Sequence, residues 1–143
     1  MDQQKHFARQ AKLVDYFHSA PISRSTGMRM AYNENGEAVF TMPYNPNFDH
    51  AMHDVHGGIV ATMIDNAGWF TVAPHYEFWI ATVEFSTRLL EPVQKSDLVS
   101  VGKLVRRGKT LSVCNMEVKN TQGRLIATGA GTFMATTIPL PTV

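Results

Sequence analysis

Apolar positions follow two different periods along this chain. From about residue 3 to 19, Phe7, Ala11, Val14 and Phe17 recur at three- and four-residue steps. That spacing predicts an amphipathic helix covering one edge of a core, and Pro21 marks its end. Two short alternating runs follow, 28–32 and 38–42, with Asn33-Glu34-Asn35-Gly36 between them, which predicts a hairpin. Pro43 and Pro46 break regular structure, and the polar stretch 45–55 reads as a loop. Residues 56–72, HGGIVATMIDNAGWFTV, are apolar almost all the way round, with Asp65 the one charged side chain. A helix of that kind is buried, and Pro74 stops it. Four more runs, 79–87, 98–105, 110–118 and 124–134, read as strands. In the first, Trp79, Ala81, Val83 and Phe85 are predicted on one face and Ile80, Thr82, Glu84 and Ser86 on the other. Arg106-Arg107-Gly108-Lys109 and Asn120-Thr121-Gln122-Gly123 are short, glycine-bearing connections suited to antiparallel hairpins. The tail from Pro139 to Val143 is expected to be loose.

The order is helix, two strands, one buried helix, four strands, which predicts an α+β fold with a curved antiparallel sheet around the central helix. A second subunit would cover what the sheet leaves open. The 143 residues fit a single domain. Its parts are an N-terminal helix and linker (1–24), a core (25–136) and a tail (137–143). Hydrophobic residues make up 44% and charged ones 17%, and the net charge is +1. Neither a nucleic acid nor a membrane surface is therefore an expected partner. The single cysteine, Cys114, excludes an internal disulfide framework and fits a reducing compartment. The polar N-terminus does not read as a secretory signal, and a cytoplasmic location is the expectation.

A buried carboxylate is costly unless something pairs with it or uses it, and Asp65 lies too far into its helix to be a cap. It is a candidate base or nucleophile, the alternative being a structural acid bonded to backbone or to Asn66. The first turn of a helix presents unpaired N–H groups and a partial positive charge. Gly57 and Gly58 thus offer donors for an oxyanion, as in acyl transfer, although they could also simply permit close packing. Eight residues of helix separate Gly57 from Asp65, roughly 12 Å along the axis. The two cannot act on one carbonyl within a single chain. If both act, Asp65 of one subunit meets Gly57 of another across a two-fold axis.

Other signals are weaker. His50, His53, Asp54 and His56 crowd one loop, but their spacing matches no zinc motif, and no metal is expected. Arg106, Arg107 and Lys109 are either a solvated hairpin tip or partners for phosphates. Gly108-Lys109-Thr110 is not a phosphate-binding P-loop, no GxSxG occurs, and Cys114 has no base near it in sequence. Trp69, Phe70, Phe78 and Trp79 read as core, with a place in an acyl pocket as the alternative.

His56-Gly57-Gly58 followed by Asp65-Asn66 resembles the signature of hot-dog-fold acyl-CoA thioesterases of the phenylacetate-degradation (PaaI-like) type. Thr87-Arg88-Leu89-Leu90-Glu91-Pro92 and Gly108-Lys109-Thr110 resemble further pieces of that family, over residues 27 to 136 in all. The resemblance implies five or six antiparallel strands around the central helix and dimers often paired into tetramers. It implies hydrolysis of an acyl-CoA thioester with no metal and no cofactor, coenzyme A being part of the substrate. It assigns Gly57 as oxyanion donor, Asp65 as nucleophile or general base, and Thr82 as the hydroxyl that orients the attacking water. Gly58, Asn66, Arg88, Arg106, Arg107 and Lys109 are the expected substrate and coenzyme A contacts. His56 is expected to orient the turn through a ring N–H, with acid catalysis as the alternative. Family members often carry Asn where this chain has His50, so His50 is a site residue whose chemistry departs from the pattern. A hot-dog hydratase or dehydratase, and a non-catalytic acyl-CoA-binding module, are the competing functions.

Overall fold

The computed structural model describes residues 2–141. Helix α1 (Gln3–Ser19) starts where the Asp2 carboxylate accepts the Gln4 N–H at 3.0 Å, and it buries Gln10, Leu13 and Phe17. Pro21 ends α1 but also opens a second, short helix, α2 (Pro21–Thr26), where a linker was expected. A proline is suited to the first position of a helix because the N–H it lacks would have had no partner there. Gly27, at φ 73°, closes α2.

The strands are β1 (Arg29–Tyr32), β2 (Ala38–Met42), β3 (Phe78–Leu89), β4 (Leu98–Arg107), β5 (Leu111–Asn120) and β6 (Leu125–Pro139). They form one antiparallel sheet in the order β1-β2-β4-β5-β6-β3. The long central helix α3 (Gly57–Val72) lies across its inner face. Along β5, Ser112, Cys114, Met116 and Val118 are buried while Leu111, Val113 and Asn115 are exposed, the alternation of a sheet covered on one side. At one end of the core Phe17, Phe40 and Phe70 pack edge to face with centroids 4.8–5.5 Å apart.

α3 seats closely because β4 carries Gly102 where the helix backbone passes. A Cβ there would overlap the Ala67 carbonyl and the Thr71 hydroxyl. Thr71 Oγ1 in turn accepts the Ala38 N–H at 3.0 Å and ties the end of α3 to β2.

Three expectations need correction. The strands run longer than alternation alone indicated, because pairing with long neighbours carries them into the turns. The tail is not loose as far as Leu140. β6 extends to Pro139, and Leu140 is 6% exposed and donates to the Glu77 carbonyl, while residues 142 and 143 lie outside the described range. The face assignment of β3 fails midway. Ile80 and Thr82 face α3, but a register shift between Thr82 and Glu84 changes the phase. Phe85 pairs with Gly131 and Thr87 with Gly129, and these face the helix instead of Glu84 and Ser86.

At the far end of α3, a tight turn (Ala73–His75) sets the His75 ring against the His6 ring, with centroids 4.8 Å apart and the planes tilted by 56°. Burial, the neighbouring His6 and the charges of Arg107 and Arg9 push the His75 imidazole down to about 4 from its ordinary 6.5. The unfolded chain therefore takes up a proton that the native chain refuses, and stability falls as pH drops from about 6.5 towards 4. His75→Phe should flatten that part of a plot of thermal midpoint against pH. An unchanged slope would contradict the account. Separately, Gly102→Ala should cost about 1–3 kcal/mol in urea unfolding, since the added methyl meets the Ala67 backbone carbonyl as well as the Thr71 hydroxyl.

Candidate active site

The site is built on the two ends of one half of α3. At its start His56 is the N-cap, and its Nδ1 accepts the Gly58 N–H at 2.9 Å. The ring therefore works through a lone pair and not, as expected, through a ring N–H. Ile59 and Val60 donate to the His56 carbonyl. The Gly57 N–H has no hydrogen-bond partner among the described residues, so one donor is left over at the positive end of the helix. Gly57 packs on Leu89 of β3, with no room for a Cβ beside that side chain as it stands. The glycine thus serves close packing and leaves an open amide. In front of it lies a cavity of about 260 Å³ lined by His50, Asp54, Gly57, Leu89, Leu90 and Pro92 among others.

Two turns further on, Asp65 is half-buried and is bonded neither to backbone nor to Asn66. Its Oδ1 accepts the Thr82 hydroxyl at 2.8 Å, and Oδ2 has no hydrogen-bond partner among the described residues. Burial lifts its pKa above the ordinary carboxylate value, and the Thr82 hydroxyl pulls it part of the way back. Asn66 turns the other way, with Nδ2 3.5 Å from the Met28 sulfur. The helix is not covered all round: Gly58 is exposed and Ala61, Thr62 and Asp65 are only partly buried, an open stripe that runs from the first turn to the acid.

The remaining candidates are dispersed. Arg88 pairs with Thr128 on the outer face of the sheet, in a groove shared with Lys103 and Glu117, and does not face Gly57 or Asp65. Arg106 pairs with Val113, also on the outer side. Arg107 folds back to donate to the His75 carbonyl at 3.0 Å and lies over the Tyr76 ring. With Lys109 it marks a hairpin tip at the C-terminal end of α3, away from Gly57 of the same chain. Cys114 is buried, and burial pushes its thiol up to about 12, which removes it as a nucleophile. Among the described residues no group of three His, Cys, Asp or Glu side chains gathers closely enough to hold a metal ion, and no helix is long and apolar enough to cross a membrane. Asp54 is the residue that sequence reasoning read only as part of a loop cluster. Its i, i+4 spacing from His50 was the available signal.

Comparison with known proteins fits this geometry. The family model of the thioesterase superfamily matches residues 52–127, which span the helix start, Asp65, Thr82 and most of the sheet. The Saccharolobus solfataricus protein named "Putative esterase SSO2140" is 32% identical over 101 residues, covering 70% of this chain and 72% of that protein. A similarly named Halobacterium salinarum protein is 29% identical over 136 residues, covering 86% and 89%. Among solved structures, a thioesterase family protein from Silicibacter pomeroyi superposes with a TM-score of 0.82 at 28% identity, covering 92% of this chain and 99% of that one. The E. coli PaaI protein of the phenylacetic acid degradation operon superposes with a TM-score of 0.84 at 18% identity, covering 95% and 96%, a likeness of fold. The sheet wrapped on one helix is the hot-dog fold, and the chain belongs to the thioesterase superfamily as a thioester hydrolase.

Proposed function

We propose that the chain hydrolyses acyl-CoA thioesters in a site shared by two subunits, with the Gly57 amide of one binding the thioester carbonyl and Asp65 of the partner subunit acting as base. The observation that carries this reading is the separation of the two open groups. The unpaired Gly57 N–H and the unpaired Asp65 Oδ2 sit two turns apart on one rigid helix, about 12 Å, too far to act on one carbon. The surface between them is the uncovered stripe of α3.

The sheet supports the same pairing. β3 is an edge strand of 12 residues that leaves Val83, Phe85 and Leu89 exposed. A long apolar edge of this kind is a template for another strand. Pairing with β3 of a second copy would cover it and lay the two α3 helices side by side, antiparallel. With Gly57 opposite Asp65, the partner's Val72 end lies about 10 Å beyond Gly57. That end carries the hairpin of Arg106, Arg107 and Lys109, suitable for the phosphates of coenzyme A.

In this arrangement water bonded to Asp65 Oδ2 attacks the carbonyl carbon as the carboxylate takes its proton. The carbonyl oxygen becomes an oxyanion facing the Gly57 N–H and the positive end of α3. The tetrahedral species then breaks its C–S bond, and the departing thiolate recovers the proton from Asp65. The burial that raises the Asp65 pKa makes it a stronger base than a free carboxylate, and the Thr82 hydroxyl fixes its orientation through Oδ1.

Thiol release from a panel of acyl-CoAs tests the reading. Asp65→Ala should lower kcat by about 100-fold or more. Gly57→Pro, which removes the N–H, should cost about 100- to 1,000-fold relative to Gly57→Ala, whose Cβ displaces the Leu89 side chain in the same way but keeps the donor. In single-turnover hydrolysis in heavy-oxygen water, label should enter the product acid and not Asp65. Retention of turnover by Asp65→Ala would contradict the reading.

A further inference from the structure

The uncovered stripe of α3 does not stop at the acid. One turn past Asp65, about 6 Å along the axis, it reaches Trp69, whose side chain is only partly buried. Both residues turn towards β3. Asp65 accepts the Thr82 hydroxyl, and Trp69 Nε1 donates to the Ile80 carbonyl at 3.0 Å, two residues back along that strand. This bond holds the indole beside the base, and the proposed reaction gives it no task.

From Trp69 the rings continue. The Trp79 ring lies 5.8 Å away between centroids with the planes 38° apart, and Tyr16 of α1 lies 5.7 Å beyond it at 42°. All three side chains are partly buried and packed against the core. Lys12, one turn back along α1, ends the row. Its Nζ is 5.5 Å from the centre of the Tyr16 ring and makes no ion pair among the described residues. An aromatic surface thus starts next to the base and finishes at an ammonium group. Part-exposed rings suit a neutral chain carrying amides, and a lysine supplies a point charge for a phosphate.

The direction follows from the shared site. The row belongs to the subunit that supplies Asp65, and it runs towards the Val72 end of α3. α1 crosses that end, where its His6 ring meets His75 and Arg9 donates to the Pro74 carbonyl at 3.0 Å. A ligand arm lying here leaves the reacting carbon over neutral rings and meets a cation only at the far end. The thiol arm of coenzyme A has the same order: a neutral chain with two amides next to the sulfur, then a diphosphate.

We infer that Trp69, Trp79 and Tyr16 form the surface on which the pantetheine arm of coenzyme A lies, and that Lys12 contacts the diphosphate at the end of that arm. The inference rests on the proposed thioester site and extends it to α1, a helix outside the residues 52–127 that the family model matches. It makes α1 part of substrate recognition as well as a cover for the core.

The test compares thioesters of one acyl group with coenzyme A, dephospho-coenzyme A and pantetheine. Lys12→Ala should raise KM about tenfold for the first two, which carry the diphosphate, and the effect should shrink below about twofold for the pantetheine ester. Lys12→Arg, which keeps the charge, should recover most of the loss. Added salt should raise KM for the coenzyme A ester more steeply in the parent than in Lys12→Ala. Tyr16→Leu should raise KM for all three esters. An equal Lys12→Ala loss with the pantetheine ester, or no loss with the coenzyme A ester, would overturn the inference. So would a Tyr16→Leu effect that grows with acyl length, since the acyl group would then be what lies on the rings. Calorimetry with free coenzyme A distinguishes the two readings. If its binding weakens about tenfold in Lys12→Ala but no acyl-CoA releases thiol, hydrolysis has failed and the contact stands, whereas thiol release with a KM indifferent to Lys12 defeats the contact alone.

Discussion

The structure depends on how tightly α3 is held against its sheet. Where the Ala67 carbonyl meets Gly102, the helix backbone and the strand backbone are too close for any side chain between them. A helix seated so closely has no freedom to tilt or slide, and its length becomes a fixed ruler. The amide left open at its first turn and the carboxylate two turns on are therefore held at a constant separation. In the proposed reaction, a fixed separation too large for one reacting carbon makes the site a property of two chains.

The polar groups on and around α3 follow from the same constraint. A helix packed on apolar strands leaves few places where a charge can be tolerated. Asp65 occupies the border of the open stripe, where one oxygen is met by Thr82 and the other is left free. His56, by giving its ring nitrogen to Gly58, occupies one amide of the first turn and leaves Gly57 as the remaining donor. Cap, glycine and acid thus divide the work. One orders the turn, one presents an N–H, and one carries the negative charge.

Much of this was legible in the sequence, for identifiable reasons. The central helix, its glycine start and its lone acid were plain because a stretch apolar on every side fits a buried helix, and a single carboxylate stands out against it. The strands were plain wherever alternation was clean. Their ends were not, because strand length is set by pairing with neighbours. The inward face of β3 was misjudged beyond Val83, because a one-residue bulge reverses every later side chain and leaves no mark in composition. Arg88 was read as a coenzyme A contact from its motif, yet the same bulge turns it to the outer face. Pro21 was read only as a stop, because a proline that ends one helix and begins the next looks the same in sequence. The nearness of His50 to Asp54 had only its four-residue spacing as a signal within a run of polar residues, and the turn at His53 is what brings the two side chains together.

The central claim is that each site takes its amide from one subunit and its acid from another. Co-expressing Gly57→Pro and Asp65→Ala chains tests it directly. Random pairing puts the two defects in one dimer half the time, and each such dimer has one complete site, so the mixture should regain about a quarter of the parent activity. Each variant alone should stay near background. A mixture no more active than the sum of the separate variants would contradict the shared site.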